Sequence, residues 1–133
     1  AQIVGYTAGN DVSSRDIEGA NPLYLPQAKV YDGSCAIGPG IILISDPEEM
    51  RSLPINLVIE RGGREIFRDN ASASQMKRTL EVLVAYLCRE IRFPMGVFLM
   101  TGTAIVPPEE FSLISGDAVR ISVGDLTLSN QVE

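Results

Sequence analysis

The sequence predicts an α+β fold, a mostly mixed β-sheet accompanied by one main helix over about 74–92. Three observations lead there. Apolar residues alternate through two segments, each closed by a glycine-containing turn. One longer segment repeats its apolar residues at helical spacing instead. The composition, 45% hydrophobic and 21% charged over 133 residues, fits one domain (1–133) able to bury a core.

Taken in order, residues 3–6 form a short apolar run and predict a strand. It leads into residues 11–26, whose charges and prolines show no clean period and predict a long loop. Residues 28–30 read as strand. Gly38-Pro39-Gly40 then stops the segment, and 41–44 is the next strand. Asp46-Pro47 predicts one helical turn, with Asp46 as cap and Pro47 at the first helical position. Ile55, Leu57 and Ile59 alternate with Asn56, Val58 and Glu60, and Gly62-Gly63 turns the chain into a second strand at 64–67. Ser72 with Gln75 resembles a capping box. Met76, Leu80, Leu83, Val84, Leu87 and Ile91 then share one helical face, and Phe93-Pro94 ends the helix. Residues 97–100 predict a buried strand. Val119, Ile121 and Val123 alternate into a Gly124-Asp125 turn, with Leu126 and Leu128 returning.

Composition also excludes function classes. The net charge of −6, with no basic cluster, argues against nucleic acid, because phosphate binding needs a basic surface. No apolar run is long enough to cross a bilayer, so no membrane partner is expected. Two cysteines make neither a disulfide framework nor a zinc site, which points to a reducing cytoplasm. With no histidine, neither a Ser-His-Asp triad nor a Cys-His dyad can be built from this chain. Its metal ligands would be oxygens, which suit hard ions such as magnesium, manganese or calcium. A chain that opens on Ala1 and enters a strand at Ile3 reads as part of a longer protein.

The densest polar stretch, residues 10–18, directly follows a strand. A carboxylate at a strand end is held rigidly and can face a cleft, although charge clusters in loops are more often solvated. Lys29, between Ala28 and Val30, is either a partly buried base or a lysine snorkelling to solvent. Cys35 has no histidine to activate it and reads as packed. Thr101-Gly102-Thr103 can set a hydroxyl beside a ligand or simply end a strand.

Asn10-Asp11-Val12-Ser13-Ser14-Arg15-Asp16, then Lys29 with Asp32, Gly38-Pro39, Thr101-Gly102-Thr103 and Ser115-Gly116-Asp117-Ala118-Val119 follow one another in an order that resembles the fumarylacetoacetate hydrolase family. Residues 15–29 are similar to its branch of 2-keto-3-deoxy-sugar-acid dehydratases. The resemblance implies a sheet fold of that family and the C-terminal catalytic part of a longer enzyme. It implies Asp11 as a ligand to Mg2+, Lys29 as the catalytic residue, and Arg15 and Glu18 bordering the substrate. Thr103 would contact the substrate's carboxylate or oxo group. The family's remaining ligands, a glutamate-x-glutamate pair, would lie upstream. Glu48-Glu49 and Glu109-Glu110 do not replace them, because adjacent strand residues face opposite sides.

The implied activity is metal-dependent dehydration of a 2-keto-3-deoxy acid through a metal-stabilised enolate, with a small 2-oxo acid as partner and a homo-oligomeric enzyme. Lys29 would take or relay the C3 proton, or else form a Schiff base. Acylpyruvate-type hydrolysis, oxaloacetate decarboxylation and diene isomerisation are the alternatives within the family. A non-catalytic binding or structural module is the alternative outside it.

Overall fold

The computed structural model describes residues 2–133, and Ala1 lies outside them. The α+β class holds. The strands are β1 (Gly5–Asp11), β2 (Cys35–Leu43), β3 (Pro54–Arg61), β4 (Arg64–Ser72), β5 (Ala118–Val123) and β6 (Leu126–Gln131). The α-helices are α1 (Arg15–Ala20), α2 (Leu25–Lys29) and α3 (Leu80–Leu87).

Strands pair as β4-β3-β5-β6 in one sheet and β1-β2 in another, and every pair formed within the described residues is antiparallel. Both expected hairpins form. Gly62 and Gly63 have φ of 57° and 74°, a backbone that only glycine adopts freely and that matches the twist of a two-residue turn. In β3, flanked by β4 and β5, both Val58 and Ile59 are buried, so each face of this central strand is covered. The small sheet packs β2 against β6 and β1 against β5 and β6. Among the described residues, Ala8, Ala28, Met50, Val58, Ile59, Ile105 and Val119 make up the core. That packing fixes β1, whose last residue is Asp11.

Several expectations need correction. The helix expected at 74–92 is two shorter pieces. Ser72 and Gln75 do form the capping box, but it opens a single 3-10 turn, Ala73–Gln75, which ends at an extended Met76. Thr79 caps afresh by accepting from Val82 N–H, and α3 runs only Leu80–Leu87. Beyond it Arg89, Glu90, Ile91 and Arg92 are exposed, and a turn that buries nothing has little to hold it.

Residues 97–100 are irregular and exposed rather than a buried strand, because they find no ladder partner among the described residues. Gly38-Pro39-Gly40 does not stop a segment. It lies inside β2, opposite an irregularity between Tyr6 and Ala8 in β1. The loop expected over 11–26 is largely helical. Asn21 accepts from Leu23 N–H ahead of a Pro22–Tyr24 turn, and Pro26 sits in the first turn of α2, so asparagine and proline act as helix starts. Lys29 is consequently the last residue of a helix, not part of a strand.

Candidate functional site

A cleft of about 1570 Å³ runs from the end of β1, α1 and the end of α2 along β3 and β5 to α3 and the segment 93–113. Asp11, Arg15, Glu18, Lys29 and Thr103 all line it. Asp11 reaches it as the terminal residue of β1. From there the chain is pinned on both sides of Ser13. Val12 N–H donates to the Ser34 carbonyl at 2.8 Å, and Ser14 N–H donates to the Ala28 carbonyl at 2.8 Å. The second bond ties this loop to the residue before Lys29, and Ala28 is itself fully buried. Tyr31 adds a hydroxyl donated to the Val12 carbonyl at 3.0 Å.

Lys29 is thus brought across eighteen positions of sequence to Asp11. Its Nζ donates to Asp11 Oδ2 at 3.1 Å and to Ser13 Oγ at 2.6 Å, and lies 3.9 Å from Glu18 Oε1. The side chains of Lys29 and Asp11 are 32% and 35% exposed, so the pair faces the cleft instead of being sealed in the core. Neither of the two readings of Lys29 is met in full: it is an ion-paired lysine at a cleft wall.

Arg15 opens α1 and donates from Nη1 to the Pro107 carbonyl at 2.6 Å, which links the polar loop to the far wall. Thr103 lines the same cleft, and its Oγ1 accepts from Ile105 N–H at 3.0 Å. Asp11, Ser13, Glu18 and Lys29 therefore form one connected cluster. Arg15 and Thr103 share the cleft without bonding to that cluster.

Among the described residues, no three histidine, cysteine, aspartate or glutamate side chains gather closely enough to hold a metal ion between them. Asp11 is one hard oxygen ligand available to such an ion. Glu49 is committed elsewhere, its Oε1 accepting from the Ser45 and Asp46 N–H groups in a capping box.

Two polar groups that sequence reasoning did not single out matter here. Ser13 lies inside the motif but only its distance to Lys29 marks it. Arg61 clamps the fully buried Asp117 through Nε and Nη2, both at 2.8 Å, and also donates to the Ser112 carbonyl at 3.0 Å. The Arg61 hydrogen bonds pull the Asp117 carboxyl down to about 2, aided by the Ile114 N–H and opposed by burial. This clamp anchors residues 112–117, which lead from the cleft wall into β5. Nothing in the local pattern could have paired residues 61 and 117.

The fold and site define an α+β protein whose cleft joins a strand-end carboxylate to a lysine. The chain belongs to the fumarylacetoacetate hydrolase family: the model of the C-terminal region of that family matches residues 1–133. A Haloferax volcanii protein named "Probable 2-keto-3-deoxyxylonate dehydratase" is 48% identical over 132 residues, 98% of this chain and 46% of that protein. The 2-dehydro-3-deoxy-D-arabinonate dehydratase of Saccharolobus solfataricus is 43% identical over 125 residues, 94% of this chain and 42% of that one. A solved 2-keto-3-deoxy-D-arabinonate dehydratase, complexed with magnesium and 2,5-dioxopentanoate, superposes with a TM-score of 0.90 at 44% identity. It covers 97% of this chain and 46% of that one. The chain thus spans a little under half the length of these relatives.

Proposed function

We propose that this chain carries the carboxylate–lysine part of a divalent-metal site that removes water from a 2-keto-3-deoxy sugar acid. The observation that carries the reading is Lys29 Nζ held 3.1 Å from Asp11 Oδ2 at the wall of a cleft. A hard carboxylate oxygen suits magnesium, and by the same chemistry manganese or calcium. The two relatives named as dehydratases and the neighbour solved with magnesium support the choice of substrate class and metal. Asp11 is one ligand, and a glutamate-x-glutamate pair in an upstream segment of the same enzyme is the source of others.

The metal, when bound, supplies Lewis-acid stabilisation of the negative charge that builds on the 2-oxo group. The residues of this chain do the rest. Arg15 and Thr103 orient the carboxylate and oxo end of the substrate. Glu18 borders the pocket beside Lys29. Lys29 takes or relays the proton from C3, so the electrons of that C–H bond shift into C2–C3 and onto the 2-oxo oxygen; they then return to form the C3–C4 double bond as the C4–O bond breaks. The departing hydroxide takes up a proton and leaves as water.

The same proton transfer would serve hydrolysis, decarboxylation or isomerisation within the family, but identities of 48% and 43% to named dehydratases favour loss of water. The reading extends to a homo-oligomeric enzyme. It extends also to a cytoplasmic setting, supported by two free cysteines. The test is to give the intact enzyme a panel of 2-keto-3-deoxy pentonic and hexonic acids with magnesium and to weigh the products. A product lighter by one water, lost on chelation, is expected. Carbon–carbon cleavage, or no turnover of any member, would overturn the reading.

A further inference from the structure

We infer that Ser13 is a positioning residue for Lys29, a role that rests on the proposed function of Lys29 and adds a residue to it. Three features carry the inference. The shortest polar contact of Lys29 is to Ser13 Oγ, at 2.6 Å, against 3.1 Å to Asp11 Oδ2. The hydroxyl of Ser13 has a separate acceptor for its own proton, the Asp11 carbonyl at 3.3 Å. A serine hydroxyl has one proton and two acceptor lone pairs, so the face it turns to Nζ is an acceptor. Finally, Ser13 is not free to drift, because Val12 and Ser14 on either side are tied by backbone bonds to Ser34 and Ala28.

Together these hold Nζ at a defined point. One N–H is directed to Ser13 and a second to Asp11, and the remaining position of the nitrogen is left for Glu18, 3.9 Å away, or for a substrate in the cleft. A lysine has a flexible stem of four carbons, and an amine anchored only through Asp11 could sweep an arc. A catalytic nitrogen displaced by even an ångström loses rate steeply. Ser13 therefore acts on turnover through Lys29.

The experiment compares Ser13→Ala and Ser13→Thr in the intact enzyme by steady-state kinetics and by competitive amine labelling read by mass spectrometry. Exposed Lys77 serves as the internal reference. Loss of a hydrogen bond to a charged group predicts kcat down about ten- to one-hundred-fold in Ser13→Ala. KM and the magnesium requirement should stay within about twofold, the change falling on a step rather than on binding. Labelling of Lys29 relative to Lys77 should rise, and Ser13→Thr should restore both readouts. Parental kcat and parental labelling in Ser13→Ala would overturn the inference, as would a loss that Thr does not rescue. Lys29→Met separates this from the function reading. If Lys29→Met is inactive and Ser13→Ala is silent, only the role of Ser13 falls. If Lys29→Met keeps parental turnover, the function reading falls, and labelling alone still decides whether Ser13 holds the amine.

Discussion

Replacing Lys29 by methionine should move metal affinity and turnover in opposite directions. Methionine keeps the length of the stem and removes the charge. Two unit charges 3.1 Å apart, as Nζ and Asp11 Oδ2 are, attract by about 1.3 kcal/mol in water and by about 5 kcal/mol at an effective dielectric of 20. Both side chains are about a third exposed, so solvent screening places the pair toward the lower figure. A divalent cation arriving at Asp11 has to compete with that ammonium. Removing it should tighten magnesium binding by about tenfold, since about 1.4 kcal/mol is one decade. The gain should shrink as salt is added, because screening weakens the competition it relieves. Turnover should fall about 100- to 10,000-fold, the usual worth of a positioned acid or base. Isothermal titration with magnesium, set beside kcat under saturating metal, reads both. If Lys29 were only a structural strut, its loss would loosen the loop that carries Asp11, and affinity and rate would fall together. That result would refute the reasoning, as would parental turnover.

Other predictions follow from the same geometry. Asp11→Asn removes the anionic ligand proposed above and should weaken magnesium binding by more than about 100-fold, beyond the loss usual for an outer-shell partner, checked by the same titration. The Asp117 carboxyl lies near 2 in the folded chain against an ordinary 3.8, so its stabilisation is present above about pH 4 and disappears as pH falls through about 2. Melting temperature followed from pH 6 downward should therefore drop less steeply in Asp117→Asn than in the parent, with the variant already less stable at pH 6. Gly5→Ala would drive a Cβ into the Ile42 carbonyl oxygen, backbone that cannot step aside, and should cost about 1–3 kcal/mol or more. Gly9→Ala meets only the flexible end of Met100, at 2.7 and 2.8 Å, and denaturant titration should find it the milder change.

The parts of the fold legible in the sequence are those fixed by neighbours in the chain. The hairpins at Gly62-Gly63 and Gly124-Asp125 combine strict alternation with turn residues, and both form. Asp46-Pro47 likewise caps a turn as expected, because Asp46 accepts from Glu48 N–H and donates its own N–H to Glu49, all within three residues. Where periodicity had to stand in for packing, it failed. The apolar face from Met76 to Ile91 fits one helix, but its first five residues are only partly covered and Ile91 is exposed, so within the described residues packing sustains α3 no further than Leu87. Residues 15–29 carried their helix signals in asparagine and proline, which also start turns, and the Ser14–Ala28 bond that settles their path is tertiary. The site divides the same way. Asp11 at a strand end could be read from the residues themselves, Lys29 and Thr103 were open between a site and a plainer reading, and the family resemblance gave roles to these two and to Arg15 and Glu18. The contact of Lys29 with Ser13, and that of Arg61 with Asp117 across fifty-six positions, exist only once the chain is folded.

The central claim is that Lys29, beside Asp11, moves the C3 proton of a 2-keto-3-deoxy acid. The most direct measurement uses the intact enzyme, magnesium and a substrate carrying two deuteriums at C3, with mass spectrometry of the product and of the solvent. The account predicts loss of one C3 deuterium to solvent with each water eliminated, a slowed rate relative to the protiated substrate, and neither process in Lys29→Met. Undiminished release of deuterium in Lys29→Met, or product that retains both deuteriums, would contradict it.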